Sequence, residues 1–163
     1  MGSFIIGLDV DDAGIGKRVA LAAKQYGVDS MNTLFLTPLP GTRLWDQMKS
    51  EDRIALDTFP EDWRFYTLNF PVARYQRLSS DEVMKEMDDC NRTFYSLTGV
   101  MVRFWSSFWQ RRKPLINLIT NLSTRNNSRV ETRSYLDFQR FLASRGVRRA
   151  RPVETSQDSA PAA

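Results

Sequence analysis

Three carboxylates within four residues, Asp9-Val10-Asp11-Asp12, follow directly on the apolar run Ser3-Phe4-Ile5-Ile6-Gly7-Leu8. Such a cluster can hold a divalent cation, but this one lacks the spaced ligands and the glycine of a calcium loop. Capping of the next helix by Asp11 or Asp12 is the simpler role, and Asp9, at the end of the apolar run, could instead orient a substrate. The chain has a single cysteine, Cys90, and no histidine. That removes structural disulfides, zinc sites built from several Cys and His, and every triad with an imidazole base. A cubane iron–sulfur cluster takes three or four thiolates, so this chain alone cannot build one. Cys90 falls on an apolar helix seam, where a buried, inert thiol is expected.

The elements that position these residues begin with a strand. The run ending at Leu8 does not alternate, which predicts a strand covered on both faces, as in parallel sheets. Ile15, Val19, Ala22, Ala23 and Tyr26 then recur at helical steps until Gly27, with Gly14 and Gly16 weakening the first turn. Met31–Leu36 is a second apolar run, closed by Thr37-Pro38-Leu39-Pro40-Gly41-Thr42, and Thr42 caps a helix through about Ser50. Strand, helix, strand, helix is the grammar of an α/β sheet or barrel. From Ile54 to Leu78 an aromatic-rich connector follows, of the kind that packs over a functional face or crosses to another subdomain. Ser79 and Glu82 form a capping box, and Val83, Met87, Cys90, Phe94, Leu97, Met101, Phe104 and Phe108 predict one long helix ending at Arg111-Arg112-Lys113-Pro114. Two shorter helices, near Leu115–Leu122 and Glu131–Ser144, and a disordered tail, 147–163, complete the reading.

Length and 42% hydrophobic content allow one ordinary core with an appended subdomain. No apolar run reaches the roughly 20 residues of a membrane span, and the start lacks signal-peptide features, so a cytoplasmic location is expected. Charge is uneven: residues 1–60 and 61–96 each sum to −2, and residues 97–163 to +8. A solvated helical surface is the plain explanation of that basic third, and nucleic acid is not an expected partner. The stretch Val100–Trp109 with Arg111-Arg112-Lys113 also has the aromatic and cationic make-up of an interfacial helix, which makes peripheral membrane contact an alternative to core packing.

Taken in order, Gly2-Ser3-Phe4-Ile5-Ile6-Gly7-Leu8-Asp9, Leu36-Thr37-Pro38-Leu39-Pro40-Gly41-Thr42-Arg43-Leu44-Trp45, Arg53-Ile54 with Trp63, and Leu78-Ser79-Ser80-Asp81-Glu82 leading into Phe94-Tyr95-Ser96 resemble the last part of the radical S-adenosylmethionine superfamily, closest to its cobalamin (B12)-binding branch. The resemblance covers roughly residues 2–96. It implies an α/β fold in which the two strands are the last of a partial TIM-type barrel, residues 1–60, followed by a connector and helical subdomain, 61–146. The Cys-x-x-x-Cys-x-x-Cys loop for the 4Fe-4S cluster and the cobalamin domain are absent, so the resemblance implies a C-terminal portion that is inactive alone and is completed by the missing N-terminal half or an equivalent chain.

In the complete protein the resemblance implies reductive cleavage of S-adenosylmethionine and a methyl transfer or related radical reaction on a small-molecule or lipid-like substrate. Barrels present such chemistry at the C-terminal ends of strands. The expected cofactor wall is Ile5, Gly7, Leu36, Thr37 and Pro38, with Asp9 facing substrate, Gly7 admitting close approach of a ligand to the main chain, and no metal ligands. The fifth-strand pattern of the family is met at Ile5 and Gly7, whereas Ser3 and Val10 depart from it. The rival reading is a non-catalytic helical module that binds a partner or a membrane surface. Two parallel strands alone leave unpaired edges and bare apolar faces.

Overall fold

A parallel strand pair needs a crossover, and here the crossover is a helix that packs back on the sheet. In the computed structural model, which describes residues 1–109 and 114–144, the order is β1 (Gly2–Ile6), α1 (Ile15–Gln25), β2 (Met31–Phe35), α2 (Arg43–Ser50), a 3₁₀ turn (Trp63–Phe65), α3 (Ser80–Phe94), α4 (Leu97–Trp109) and α5 (Pro114–Ser144). β1 and β2 pair in parallel, from Gly2 opposite Met31 to Ile6 opposite Phe35. The expected cations Arg111-Arg112-Lys113 and the tail 147–163 lie outside the described residues.

Among the described residues the sheet is covered on one face only. Ile6, Met31 and Phe35 are buried with Ala20 and Ala23 of α1 and with Val83, Met87, Cys90 and Phe94 of α3. On the opposite face Ser3 is exposed and Ile5 is 49% exposed. The expectation of a strand covered on both faces therefore fails: among the described residues β1 has one strand neighbour and helices on one side.

α1 and α3 approach closely at Gly16, where an added Cβ would lie 2.0 Å from the Glu86 carbonyl oxygen. The buried Glu86 carboxylate accepts from the Gly14 and Gly16 N–H groups at 2.8 and 2.9 Å. It thus satisfies the start of α1, where free N–H groups and the helix dipole favour a negative charge. The cap expected from Asp11 or Asp12 is replaced by this carboxylate from α3, and Gly14 occupies the N-cap position.

Thr42 caps α2 through the Trp45 N–H, and Ser79 and Glu82 form the capping box of α3. The single long helix expected from Val83 to Phe108 is instead two. Tyr95 turns inward at the break, its hydroxyl donating to the Met31 carbonyl at 2.6 Å and accepting from the Met31 N–H at 3.0 Å. Its ring is buried there, while Ser96 Oγ accepts from the Gly99 N–H to open α4. Val83, Met87, Cys90 and Phe94 are buried as the seam requires, but Leu97 and Met101 are exposed.

The two short helices expected after Pro114 are one helix, since residues 115–144 contain neither Gly nor Pro and the polar run Ser123–Ser128 continues through it. Its second half anchors the aromatic connector: Phe138 is buried with Leu56 and Val72, against Phe65, Phe70 and Phe141. The Phe65 and Phe138 ring centroids are 4.9 Å apart.

Replacement of Gly16 by Ala is expected to destabilise the protein by about 3 kcal/mol, because the clash is with backbone and cannot be relieved by a rotamer change. Urea denaturation measures it; a loss below about 0.5 kcal/mol would show that the α1–α3 contact is looser than described.

Candidate functional site

The C-terminal ends of β1 and β2 meet in a small polar cluster. Just beyond β1, the buried Asp11 carboxylate accepts from the Gly7 and Leu8 N–H groups at 2.8 and 2.9 Å, which fixes the turn. Asp9, two residues earlier, faces the other way and takes both outer nitrogens of Arg53, at 2.5 and 3.3 Å. Arg53 Nη1 also donates to Glu51 at 2.9 Å and Nε to the Arg74 carbonyl at 3.0 Å. Asp12 pairs with Arg18, so the three clustered carboxylates go to three different partners.

The Arg53 side chain is 2% exposed, although Asp9 and Glu51 reach solvent. Burial alone would pull the guanidinium pKa down, but hydrogen bonds and charges from Asp9 and Glu51 outweigh it and hold the pKa above the ordinary arginine value. Arg53 is a fixed positive charge that ties the loop after β1 to the segment after α2. That segment is held in turn by the antiparallel bridge between Ile54 and Ala73 and by the Arg74 N–H bond to the Arg53 carbonyl.

Next to the bridge, Tyr75 is buried with its ring against Gly7. Gly7 has φ +102°, and an added Cβ would meet the ring at 2.5 Å. The Tyr75 hydroxyl donates to the Leu36 carbonyl at 3.3 Å, and burial pushes its phenol well above the ordinary range, so it stays protonated. The group that approaches the Gly7 backbone is thus a side chain of this protein, where the sequence led us to expect a ligand.

The other wall residues divide in two. Thr37 and Pro38 are buried, and Thr37 Oγ1 donates to the Phe35 carbonyl at 3.1 Å. Leu36 is half-buried, its N–H bonded to the Ile6 carbonyl at 2.9 Å. Ile5, paired with Leu34, lies on the helix-free face of the sheet. Gly7 and Leu36 are brought together at Tyr75, and Arg53 ties Asp9 to Arg74, the residue before that tyrosine. Sequence reasoning missed the roles of Arg53, Glu51 and Tyr75. Their partners lie 21 to 68 residues away, apart from the Glu51–Arg53 pair, so the available signal was an arginine among acids after a helix and a tyrosine in a long connector.

Cys90 is buried and its thiol is pushed up to about 12 by burial, with the nearby Glu86 charge adding to the effect. Among the described residues no group of three His, Cys, Asp or Glu side chains could hold a metal ion. An open cavity of about 850 Å³ lies elsewhere, between Met31 and Phe35 of β2, Met84 and Met87 of α3, and Tyr135 of α5. None of the six site residues named from sequence lines it.

Two outcomes follow for this cluster. Gly7→Ala is expected to cost about 2 kcal/mol or more, combining strain at positive φ with the clash on Tyr75. In the Tyr75→Ala background the same change should cost less, and equal costs in denaturant melts would contradict the contact. The Arg53 hydrogen bond, then that of Gln47, lowers the Glu51 pKa below its ordinary 4.5. Its stabilising contribution is therefore complete above about pH 4.5 and lost as pH falls through the folded-state value. Glu51→Gln should flatten that part of the stability profile, and an unchanged slope would remove Glu51 from the cluster.

No family model matches the chain, and no solved structure matches it. Among curated proteins, an uncharacterized methyltransferase of Pyrococcus horikoshii is 27% identical over 103 residues, 63% of this chain and 22% of that protein. An uncharacterized methyltransferase of Synechocystis is 37% identical over 54 residues, 33% of this chain and 10% of that protein. The chain spans less than a quarter of the length of either relative. The chain is thus weakly similar to parts of two uncharacterized methyltransferases.

Proposed function

We propose that this chain is the C-terminal portion of an S-adenosylmethionine-dependent methyltransferase of the radical, cobalamin-dependent type, and supplies the last two βα units of its partial barrel. The observation that carries methyl transfer is the similarity to two methyltransferases, each several times longer than the matched region. The partial-barrel part of the reading is supported by a sheet with helices on one face and a half-exposed Ile5 on the other. Further strands beside β1 would extend the sheet, and the bare face would line the interior of a barrel.

Within that reading, Ile5 and Leu36 offer apolar contact to an adenine. Tyr75, covering Gly7, shapes the mouth, and the Arg53–Asp9 pair fixes the loop that borders it. Thr37 and Pro38, being buried, support this wall from behind. The residues present do not fit the cluster or the cobalamin: the one thiol is buried with a raised pKa, and there is no imidazole. Those groups belong to the remainder of the proposed enzyme, and the completing partner is that remainder or an equivalent chain.

The reading is tested on a polypeptide that includes the coding sequence upstream of Met1, reconstituted anaerobically with iron and sulfide. About four irons per chain and formation of 5′-deoxyadenosine or a methylated product from S-adenosylmethionine are expected under reducing conditions. Methyl transfer without iron would overturn the radical assignment while keeping the methyltransferase one, and absence of any methyl transfer or cofactor cleavage would overturn both.

A further inference from the structure

We propose that α4 and α5 form a hairpin that docks this protein on the surface of an anionic lipid bilayer. Arg103 lies six residues before the end of α4 and Asn121 seven after the start of α5. Their 2.8 Å hydrogen bond closes the two helices on each other. Val100 and Asn121 are buried on the inner side. On the outer side α4 exposes Leu97, Met101, Val102 and Trp105, the last by 60%. In its first turns α5 exposes Leu115, Ile116, Ile119 and Leu122, with Ile119 at 66%. Leu97, Met101 and Trp105 follow one another at four-residue steps, as do Leu115 and Ile119, so each helix carries an apolar stripe.

Charge selects the occupant. From Leu97 to Val130 the sequence holds six basic residues and no acidic one, and three of the six are consecutive between the two helices, Arg111-Arg112-Lys113. A second copy on this surface would bring two segments of the same positive sign together. Nucleic acid would answer the charge but would leave the aliphatic stripe of Leu115, Ile116 and Ile119 without a partner. An anionic bilayer answers both, taking apolar side chains into the headgroup boundary and cations at its phosphates. Among the described residues no helix is long and apolar enough to cross a membrane, so the hairpin lies along the surface. The proposal concerns binding only and stands apart from the catalytic reading.

Co-sedimentation of the full chain with vesicles tests it. Vesicles of phosphatidylcholine with about 30% phosphatidylglycerol are expected to carry the protein down, and pure phosphatidylcholine vesicles to bind it at least about tenfold more weakly. Met101→Glu with Ile119→Glu, both at exposed positions, should lower binding to the anionic vesicles at least about tenfold with an unchanged thermal melt. Failure to bind the anionic vesicles would overturn the proposal. Binding that survives both substitutions would overturn it too, by showing attraction through charge without the apolar stripes. A concentration-dependent dimer that the two substitutions abolish, with no vesicle binding, would assign the surface to a second copy.

Discussion

A buried guanidinium must find acceptors for its N–H groups, and at Arg53 the search for them draws together three segments that are far apart in sequence. Removing such a group from water costs several kcal/mol. Four hydrogen bonds, to both oxygens of Asp9, to Glu51 and to the Arg74 carbonyl, offset that cost. The loop after β1, the segment after α2 and the return of the aromatic connector are consequently fastened at one point. Tyr75, one residue beyond Arg74, is delivered onto Gly7 by that attachment, and its hydroxyl reaches the end of β2. The shape of the strand ends follows from this one charge.

Between α1 and α3 the same device appears with the sign reversed. Glu86 is a buried carboxylate that stabilises the start of a helix from a different helix, and its backbone occupies the space that Gly16 leaves open. α1 and α3 are thereby locked as one layer over Ile6, Met31 and Phe35. Among the described residues the other face has no equivalent layer. A half-exposed isoleucine on a two-stranded parallel sheet is poorly used apolar surface unless further strands or a ligand cover it, and the proposed partial barrel would meet that requirement.

Local patterns were legible wherever the stabilising contact is local. The strand runs, the Thr42 cap and the Ser79–Glu82 box lie within a few residues of their effect, and the structure has each of them. Reading failed where a distant partner decides. Asp11 is a good cap by type, yet it serves the Gly7 and Leu8 amides, because Glu86 already holds the start of α1. The seam through Val83 and Phe104 is periodic across Tyr95, but two hydrogen bonds to Met31 and a buried ring outweigh helix continuity there. The polar run after Leu122 looked like a loop, yet without Gly or Pro, and with Phe138 anchored in the connector, it stays helical. In the site, the positions of Gly7, Leu36 and Thr37 at the strand ends were readable from pattern. Arg53 and Tyr75, whose contacts are long-range, were not.

Arg53 and Asp9 act as a pair at the strand ends, and a double-mutant cycle measures that directly. Asp9→Asn, Arg53→Met and the double variant, compared by urea denaturation, should give a coupling energy of about 2 kcal/mol or more, because Asp9→Asn leaves a buried guanidinium short of charge compensation. A coupling below about 0.5 kcal/mol would mean that the two residues only lie close together and that the strand ends are held by something else.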